Sequence, residues 1–295
     1  MNWQRSLKVR RNHPLRDKTA FKIGGRADFF SEPNDLRELK LVVSRAKENN
    51  IPVFVIGAGS NLLISDKGVK GLVIKLNSSY FRDVSLKGNC IEAGSGVTLL
   101  QLIQFAKNKS LSGAEFLAGI PGTLGGALAM NAGCWGKSIG DLVREVEVFD
   151  HSGNIKRIKS KEIKFGYRKT NLGNFIILSV VLKFRKSSKD VIIRSIKEYI
   201  LKRRNSQDLT FPNAGCIFKN PQSLSAGRLI DLCGLKGKSM GGALISDKHA
   251  NFILNKGNAK AKDVLKLMRL IQARVKKGFK VNLEPEIKIW GGTQR

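Results

Sequence analysis

The sequence predicts a mixed α/β or α+β fold, of the kind that binds a cofactor, divided into two or three domains. The chain has 295 residues, of which 42% are hydrophobic and 26% charged, so it is long and apolar enough to bury a core. Thirty glycines with only seven prolines and no collagen period indicate tight turns and close backbone approaches. Segments with helical periodicity also alternate with short apolar runs that are typical of strands.

The N-terminal part predicts a compact α/β unit. A helix capped by Asn34 is expected over residues 34–48, because the apolar residues there recur at helical spacing. The run from Ile51 to Ile56 is then expected to be a buried strand, and residues 71–76 another.

A second unit is expected from about Cys90 onward, again with strands and one helix. Its predicted elements are a short strand near Cys90, a helix over 98–107, a Gly/Ala-rich stretch over 113–133, and strands over 146–149 and 175–184. The polar segment 185–190 contains almost no apolar residues and predicts a linker.

The C-terminal part predicts a separate unit. A basic helix is expected over 191–204, and an amphipathic helix over 259–277 that ends at Gly278 as its C-cap. Residues 283–289 alternate between apolar and charged and predict a strand, in which Glu286 points away from the apolar layer.

The sequence predicts neither a membrane helix nor a secretory signal. The longest apolar run, residues 175–182, is far shorter than the roughly 20 residues that span a bilayer, and no apolar segment follows the basic start of the chain. A cytoplasmic location is therefore expected. The four cysteines are widely spaced, with no CxxC pair and no nearby histidine, so we expect reduced thiols and no metal site. They are Cys90, Cys134, Cys216 and Cys233.

The charge is strongly positive. Lys and Arg number 53 against 23 Asp and Glu, and the net charge of +30 attracts nucleic acid, anionic membranes or phosphorylated ligands. The basic residues are spread over the whole chain, and only three Tyr and three Trp are available for base stacking. Compositional bias or a field around an anionic substrate is the preferred interpretation, with nucleic-acid binding as the alternative.

Two glycine clusters are the candidate cofactor sites. The loop GAGSN at 57–61 follows a strand, where exposed backbone N–H groups can accept a pyrophosphate, although an ordinary tight turn is an equal alternative. Leu62 stands where a dinucleotide fingerprint needs its third glycine, so that motif is excluded. The stretch from Gly113 to Gly133 is so poor in bulky residues that a flat ligand, or another backbone, is expected to lie against it.

Seven ordered motifs resemble the UDP-N-acetylenolpyruvoylglucosamine reductase family, over residues 15 to 291. They are KTAFKIGG at 18–25, GAGSNLL at 57–63, GIPGTLGGA at 119–127, MNAG at 130–133, YR at 167–168, AGCIFKNP at 214–221 and EPE at 284–286. The chain lacks the insertions of the longer branch and is similar to the shorter type.

The resemblance implies an FAD-binding fold of the vanillyl-alcohol-oxidase type in two subdomains, residues 1–80 and 81–186, followed by a substrate-binding α/β domain at 191–295. It implies FAD as cofactor and NADPH as reductant of UDP-N-acetylglucosamine enolpyruvate, which becomes UDP-N-acetylmuramate in peptidoglycan precursor synthesis. The implied FAD-binding residues are Gly57, Ala58, Gly59, Ser60, Asn61, Gly119, Ile120, Gly122, Thr123, Gly125 and Gly126.

Three residues match the family's catalytic positions. Arg168 matches a cation that grips the substrate carboxylate, since a guanidinium can form two parallel bonds to it. Glu286 matches the carboxyl that completes the polarising network. Cys216 stands where most of the family has a serine that protonates the α-carbon, and a thiol is nearly isosteric with a hydroxyl.

A further group is implied in substrate binding, partly around the UDP diphosphate. These residues are Tyr167, Lys219, Asn220, Arg228 and Lys236. A solvated charge or a local turn contact remains an equal interpretation for Lys219 and Arg228. His249 lies in a family-like segment, but we expect a structural role for it.

Two rival functions remain open on the sequence alone. One is an oxidase of a small alcohol or sugar from the same flavin superfamily, although no His or Cys is placed for covalent flavin attachment. The other is a basic nucleic-acid-binding protein that keeps a flavin scaffold. A monomer that binds a small molecule, without specific nucleic acid or membrane, is the preferred expectation.

Overall fold

A computed structural model of the protein describes residues 7–150, 152–222 and 224–292. The first six residues of the basic N-terminal segment, considered above as a possible signal, therefore lie outside the described residues. The helices are α1 Leu36–Glu48, α2 Leu99–Asn108, α3 Leu124–Ala129, α4 Lys189–Ser206, α5 Ala226–Leu232 and α6 Ala261–Phe279.

Short strands make up most of the remaining regular structure. The first half contains β1 Arg10–Pro14, β2 Arg26–Ser31, β3 Val53–Val55, β4 Leu62–Ile64, β5 Val69–Ile74, β6 Val84–Lys87, β7 Cys90–Gly94, β8 Leu111–Ser112, β9 Gly133–Cys134 and β10 Lys137–Ser138. The second half contains β11 Val143–Phe149, β12 Ile155–Lys159, β13 Phe165–Gly166, β14 Lys169–Thr170, β15 Ile176–Lys183, β16 Arg185–Lys186, β17 Asn213–Cys216, β18 Ser239–Met240, β19 Ala243–Ile245, β20 Phe252–Asn255 and β21 Lys288–Trp290.

Two compact units divide the chain. Unit 1 comprises the chain up to Arg11, Phe29–Ala58 and Gly71–Arg203. Unit 2 comprises Asn12–Asp28, Gly59–Lys70 and the chain from Arg204 onward. The boundaries of the three functional domains expected from the sequence stay a prediction.

Unit 1 is built on a five-stranded antiparallel sheet of order β12-β11-β15-β7-β6. Its main core includes buried residues of this sheet together with the apolar faces of α2 and α3. A second core lies around α1, where Leu39, Val43 and Ala46 are buried at helical spacing. Strand β3 pairs in parallel with the end of β5, so that Val53 lies opposite Leu72 and Val55 opposite Ile74.

Unit 2 is built on the antiparallel sheet β17-β20-β19-β18. Helix α6 buries Val264, Leu267, Met268, Ile271 and Val275 in the core of this unit, because these residues share one helical face. Strand β21 pairs in parallel with β4, so the C-terminal segment lies next to the segment that follows the first glycine loop.

Two helix boundaries differ from the prediction. Asp35, not Asn34, caps α1, since its carboxylate accepts the Glu38 N–H at 2.8 Å, whereas the Asn34 N–H donates to the Glu38 side chain. Gly278 lies inside α6, and Lys280 ends that helix in the left-handed region at φ 59°. Glycine is the usual residue in that conformation, and here a lysine takes it, with its N–H donating to the Lys276 carbonyl.

The predicted linker was also wrong, and the predicted C-terminal strand forms only in part. Residues 185–186 form β16, which pairs with β8, and α4 already begins at Lys189. In the tail only 288–290 form a strand, because Pro285 cannot donate a ladder hydrogen bond and makes a single bridge with Phe218. Glu286 is half-buried rather than directed entirely into solvent.

Three further observations concern the described part of the chain. No helix there is long and apolar enough to cross a membrane. None of the four cysteines forms a disulfide. No group of three or more His, Cys, Asp or Glu side chains there could hold a metal ion.

Candidate functional site

The first glycine loop follows β3, as the sequence predicts, and two of its glycines are demanded by packing. A Cβ on Gly57 would lie 2.4 Å from the Oγ1 of Thr123, and a Cβ on Gly59 2.4 Å from the carbonyl oxygen of Lys18. Gly59 also has φ +63°, which favours glycine. Another part of the chain therefore lies against this loop, and Ala58 and Ser60 between and after the glycines are half-buried.

The backbone N–H groups of this loop remain available to a ligand. Among the described residues, no acceptor is bonded to the N–H groups of residues 57–61, whereas the Gly59 carbonyl accepts the Ala20 N–H at 3.1 Å. A run of unpaired N–H groups on a small-residue turn after a strand is a site that suits pyrophosphate oxygens. The residues present therefore fit the phosphate end of an FAD molecule.

The second glycine cluster surrounds α3 in unit 1. Thr123 caps this helix, with its Oγ1 accepting the Gly126 N–H at 3.4 Å, and the Gly122 carbonyl accepts the Leu99 N–H at 3.0 Å. The Gly125 N–H donates to the Ser95 carbonyl at 2.9 Å, and a Cβ on Gly125 would lie 2.8 Å from the Ser95 Cβ. The close approach expected here is therefore made by neighbouring backbone.

A buried arginine supports the start of this cluster. The Arg203 side chain of α4 is 7% exposed, and its Nε donates to the Ala118 carbonyl at 3.2 Å. A Cβ on Gly119 would lie 3.1 Å from the Arg203 Cδ, and Ile120 packs against the main core of unit 1. The ring of Trp135 lies 5.2 Å from the Arg203 guanidinium carbon. Arg203 thus fixes the turn that precedes the predicted flavin-binding stretch.

Cys134 lies in the same cluster. Its thiol donates to the Phe116 carbonyl at 3.0 Å, and the Arg203 Nη2 is 3.5 Å from its sulfur. Burial raises the pKa of the Cys134 thiol above its usual value, in spite of the opposing influence of the Arg203 guanidinium. A thiol held protonated in this way is a packing group rather than a nucleophile.

Arg168 sits at the turn of a two-residue hairpin between β13 and β14. Its backbone has φ 57°, a conformation in which residues with side chains are uncommon. The Arg168 Nη1 donates to the Gly133 carbonyl at 3.0 Å, and its guanidinium carbon lies 5.1 Å from the ring centre of Tyr167. Tyr167 itself is 51% exposed. The hairpin presents a half-buried guanidinium beside an exposed aromatic ring.

In unit 2 the structure brings the backbones of Cys216 and Glu286 together. Cys216 ends β17 and pairs with Phe252 of β20, and the next carbonyl, that of Ile217, accepts the Glu286 N–H at 2.8 Å. Lys219 N–H donates to the Glu284 carbonyl at 2.9 Å. Both predicted catalytic groups therefore lie on backbone segments that are hydrogen-bonded to each other.

Asn61 of the first glycine loop joins this arrangement. Its Nδ2 donates to the Glu286 carbonyl at 3.1 Å, and its own carbonyl accepts the Lys288 N–H at 3.0 Å. Both backbone groups of Glu286 are therefore hydrogen-bonded, the N–H to Ile217 and the carbonyl to Asn61. A residue predicted to bind the cofactor thus also holds a residue predicted to be catalytic.

The predicted substrate-binding cations are tied to carboxylates. Arg228 and Lys236 share Asp231, whose Oδ2 lies 3.6 Å from the Arg228 Nη1 and 3.2 Å from the Lys236 Nζ. Lys219 Nζ lies 2.9 Å from the Glu284 Oε2. Asp231 was missed by sequence reasoning, although its spacing of three residues from Arg228 on a helix is a recognisable signal.

Two other predicted residues have local roles. The exposed Asn220 accepts the Ala226 N–H at 3.0 Å through its Oδ1, which orients the start of α5. His249 packs edge-on against Phe252 with ring centres 4.7 Å apart, and its Nδ1 is buried without a hydrogen-bond partner among the described residues. Burial, together with the nearby Lys236 charge, lowers the pKa of His249 below its usual value.

Two family models match the chain. A model of an FAD-binding domain matches residues 27–159, and one described as the C-terminal domain of UDP-N-acetylenolpyruvoylglucosamine reductase matches residues 207–290. The fold and the site together define an FAD-dependent oxidoreductase, and the expected fold class is confirmed.

Similar whole proteins agree with this class. A UDP-N-acetylenolpyruvoylglucosamine reductase of Caldanaerobacter subterraneus subsp. tengcongensis is 43% identical over 95% of this chain and 93% of its own. One of Symbiobacterium thermophilum, carrying the number 2 in its name, is 41% identical over 96% and 92%. The crystal structure of the reductase from Thermus caldophilus has a TM-score of 0.83 and 41% identity over 96% of this chain and 99% of that one. The chain belongs to the UDP-N-acetylenolpyruvoylglucosamine reductase family, which confirms the resemblance.

Proposed function

We propose that the chain reduces UDP-N-acetylglucosamine enolpyruvate to UDP-N-acetylmuramate, with FAD as cofactor and NADPH as reductant, in peptidoglycan precursor synthesis. Membership of the reductase family supports the reaction. The observation in the structure that carries it is the hydrogen bond from the Glu286 N–H to the Ile217 carbonyl, next to Cys216. It sets a thiol and a carboxyl on adjoining segments, as protonation beside a polarised group requires.

The two glycine clusters are the proposed FAD site. The N–H groups of residues 57–61, which have no acceptor in the described part of the chain, would hold the pyrophosphate, and the stretch 119–126 would lie along the flavin. Bound FAD supplies the transfer of hydride from NADPH to the vinyl carbon of the enolpyruvyl group. Residues 1–80 and 81–186 are the proposed FAD-binding subdomains, and 191–295 the substrate domain.

Arg168 is the proposed partner of the substrate carboxylate. Addition of hydride to the vinyl carbon leaves negative charge that spreads onto this carboxylate, and a guanidinium stabilises it with two parallel hydrogen bonds. A guanidinium carries five N–H donors, so the hydrogen bond from Arg168 to the Gly133 carbonyl is compatible with this contact.

Cys216 is the proposed proton donor to the α-carbon. The proton leaves the Cys216 Sγ, and the electron pair of the enolate forms the new C–H bond. Gly215 before it has φ +72°, and the register of β17 against β20 is irregular between Asn213 and Cys216. Glu286 would complete the polarising network.

Five residues are proposed to bind the rest of the substrate. Arg228 and Lys236, paired on Asp231, supply positive charge suited to a diphosphate. Asn220 and Lys219 offer further polar groups from the same motif, and Tyr167 an exposed ring beside Arg168. We propose a monomer that acts in the cytoplasm, which light scattering and cell fractionation would test.

The decisive experiment combines colour and turnover. We expect purified protein, as isolated or reconstituted with FAD, to show flavin absorbance that bleaches with NADPH and returns when UDP-N-acetylglucosamine enolpyruvate is added without oxygen. The product should gain two hydrogens by mass spectrometry. A protein that cannot be reconstituted with FAD, or whose flavin is reoxidised only by oxygen, would contradict the proposal, and reduction by small alcohols would favour the oxidase alternative.

A further inference from the structure

The short segment from Ile217 to Lys219, which follows Cys216, is bonded along both of its edges. On one edge, the Ile217 carbonyl accepts the Glu286 N–H and the Lys219 N–H donates to the Glu284 carbonyl. On the other edge, the N–H and carbonyl of Phe218 face the side chain of Asn251. The segment therefore bonds two neighbouring parts of the chain, with a bend at Ile217.

Asn251 supplies both bonds on that second edge. Its Oδ1 accepts the Phe218 N–H at 2.9 Å, and its Nδ2 donates to the Phe218 carbonyl at 2.8 Å. Phe218 is 0% exposed and Asn251 is 1% exposed, so water cannot replace either bond. The Asn251 carbonyl also accepts the Ile217 N–H at 2.9 Å.

The Asn251 side chain makes the two hydrogen bonds to Phe218 that the backbone of a neighbouring strand would otherwise make. Strand β20 begins only at Phe252, whose N–H turns back to the His249 carbonyl at 2.8 Å, so its backbone cannot pair with Phe218. A primary amide carries a donor and an acceptor side by side and can extend the ladder by one step. An apolar residue at this position would leave both Phe218 groups buried and unpaired.

We propose that Asn251 is a positioning residue for the reduction, which fixes the segment that joins Cys216 to Glu286. The inference rests on the proposed roles of those two residues. The Asn251 Oδ1 accepts the Phe218 N–H, and the same peptide group carries the Ile217 carbonyl that accepts the Glu286 N–H. The preceding peptide group joins Ile217 to Cys216. A shift of about one ångström in such a group can lower a rate about 10²-fold.

The test uses the FAD-loaded enzyme and three variants. We expect Asn251→Leu and Asn251→Asp to slow the substrate half-reaction by about 10- to 100-fold, with flavin reduction by NADPH within about twofold. Ile271→Ala, which removes side chain from the same core on α6, is the matched control for lost stability and should slow neither half-reaction selectively.

The aspartate variant gives a distinctive pH signature. A protonated carboxyl group in Asn251→Asp would have a donor and an acceptor, as asparagine has, whereas the ionised carboxylate would repel the Phe218 carbonyl. We expect the substrate half-reaction of Asn251→Asp to recover as the pH falls, and that of Asn251→Leu not to. Recovery in neither variant, or in both alike, would overturn the positioning role.

A readout independent of turnover separates this inference from the function itself. The alkylation rate of Cys216 by iodoacetamide, followed by peptide mass spectrometry, should change at least about threefold in Asn251→Leu and stay unchanged in Ile271→Ala. An unchanged rate in the leucine variant overturns the positioning role even if the reductase reaction is found. A changed rate in that variant, when the wild-type protein cannot reduce the enolpyruvyl substrate, would show that Asn251 fixes the Cys216 segment but would reject the proposed function and, with it, a positioning role in the reduction.

Discussion

The hairpin that carries Arg168 and the segment that carries Cys216 anchor their groups in opposite ways. The Arg168 guanidinium is held through side-chain contacts, to the Gly133 carbonyl and the Tyr167 ring, at a turn with positive φ. Cys216 and Glu286 are held through their backbones, with Asn251 and Asn61 bonding the peptides around them.

The two kinds of anchor should respond differently to substitution. A side-chain anchor leaves the surrounding backbone in place when its residue is replaced, so a variant at Arg168 removes one function. Backbone anchors couple several groups, so a change at one point of the 216–219 segment is transmitted to Glu286. Each prediction below breaks or sharpens this contrast.

The largest effect is expected for Cys216→Ala. Loss of the proposed proton donor should slow reoxidation of the flavin by the enolpyruvyl substrate about 10²- to 10⁴-fold, while NADPH reduces the flavin at the wild-type rate. Stopped-flow absorbance of the two half-reactions measures both. Normal turnover in this variant would show that the proton comes from another group and that Cys216 only packs.

Arg168→Lys, at the side chain that is anchored on the hairpin, is also expected to slow reoxidation of the flavin by substrate. A lysine cannot form two parallel bonds to the carboxylate, so reoxidation by substrate should slow about 10²-fold or more. Reduction by NADPH should be nearly intact, since the hairpin backbone remains. Equal slowing of both half-reactions would instead mark Arg168 as structural.

The pH dependence should distinguish the thiol from its neighbours. A thiol can lose its proton in alkaline solution, whereas a serine hydroxyl stays protonated. The substrate half-reaction is therefore expected to fall at alkaline pH, and Cys216→Ser to move this fall to higher pH. Cys134 and Cys233, whose pKa values are raised by burial, serve as controls when changed to serine. An identical alkaline limb in Cys216→Ser would exclude thiol ionisation as its cause.

A smaller effect is expected for Asp231→Asn, because surface ion pairs contribute only about 0–1 kcal/mol. Loss of the shared carboxylate lets the Arg228 and Lys236 side chains move independently, so KM for the UDP substrate should rise up to about fivefold with kcat unchanged. Steady-state kinetics against Asp231→Glu measures this. A fall in kcat without a change in KM would place Asp231 near the chemistry instead.

No effect on turnover is expected for Asp150→Asn. Asp150 lies in the β11–β12 hairpin of unit 1, where its carboxylate accepts several hydrogen bonds. Hydrogen bonds from Lys156 and from the Asn154 and Ser152 N–H groups lower the pKa of Asp150 to about 2. Because the folded pKa is depressed, its stabilisation is present above about pH 4 and is lost as the pH falls through about 2.

Thermal unfolding of both proteins across this range provides the measurement. The wild type should have the higher Tm at about pH 7, and the difference should shrink from about pH 4 downward. A Tm difference that stays constant down to about pH 2 would mean that the hydrogen bonds of Asp150 do not depend on its charge.

Local sequence patterns predicted the elements but not their ends. The apolar spacing of α1 was sufficient to place that helix, whereas its cap fell on Asp35 beside an equally suitable asparagine. Gly278 was a plausible C-cap, yet α6 continues through Phe279. The helix ends at Lys280, which takes the left-handed conformation. The tail failed as a strand since Pro285 interrupts the ladder.

The sequence by itself determined the family and the fold class, because ordered motifs and local periodicity are properties of neighbouring residues, and it predicted the chemistry-bearing residues. Only the tertiary structure decided which distant residues bond the segments that carry these predicted residues. Asn251 reaches Phe218 across 33 residues, Arg203 reaches Ala118 across 85, and Asn61 reaches Glu286 across 225. Such hydrogen bonds satisfy buried backbone groups that no local pattern reveals, since the need for a partner arises only when the chain has folded and water has been excluded.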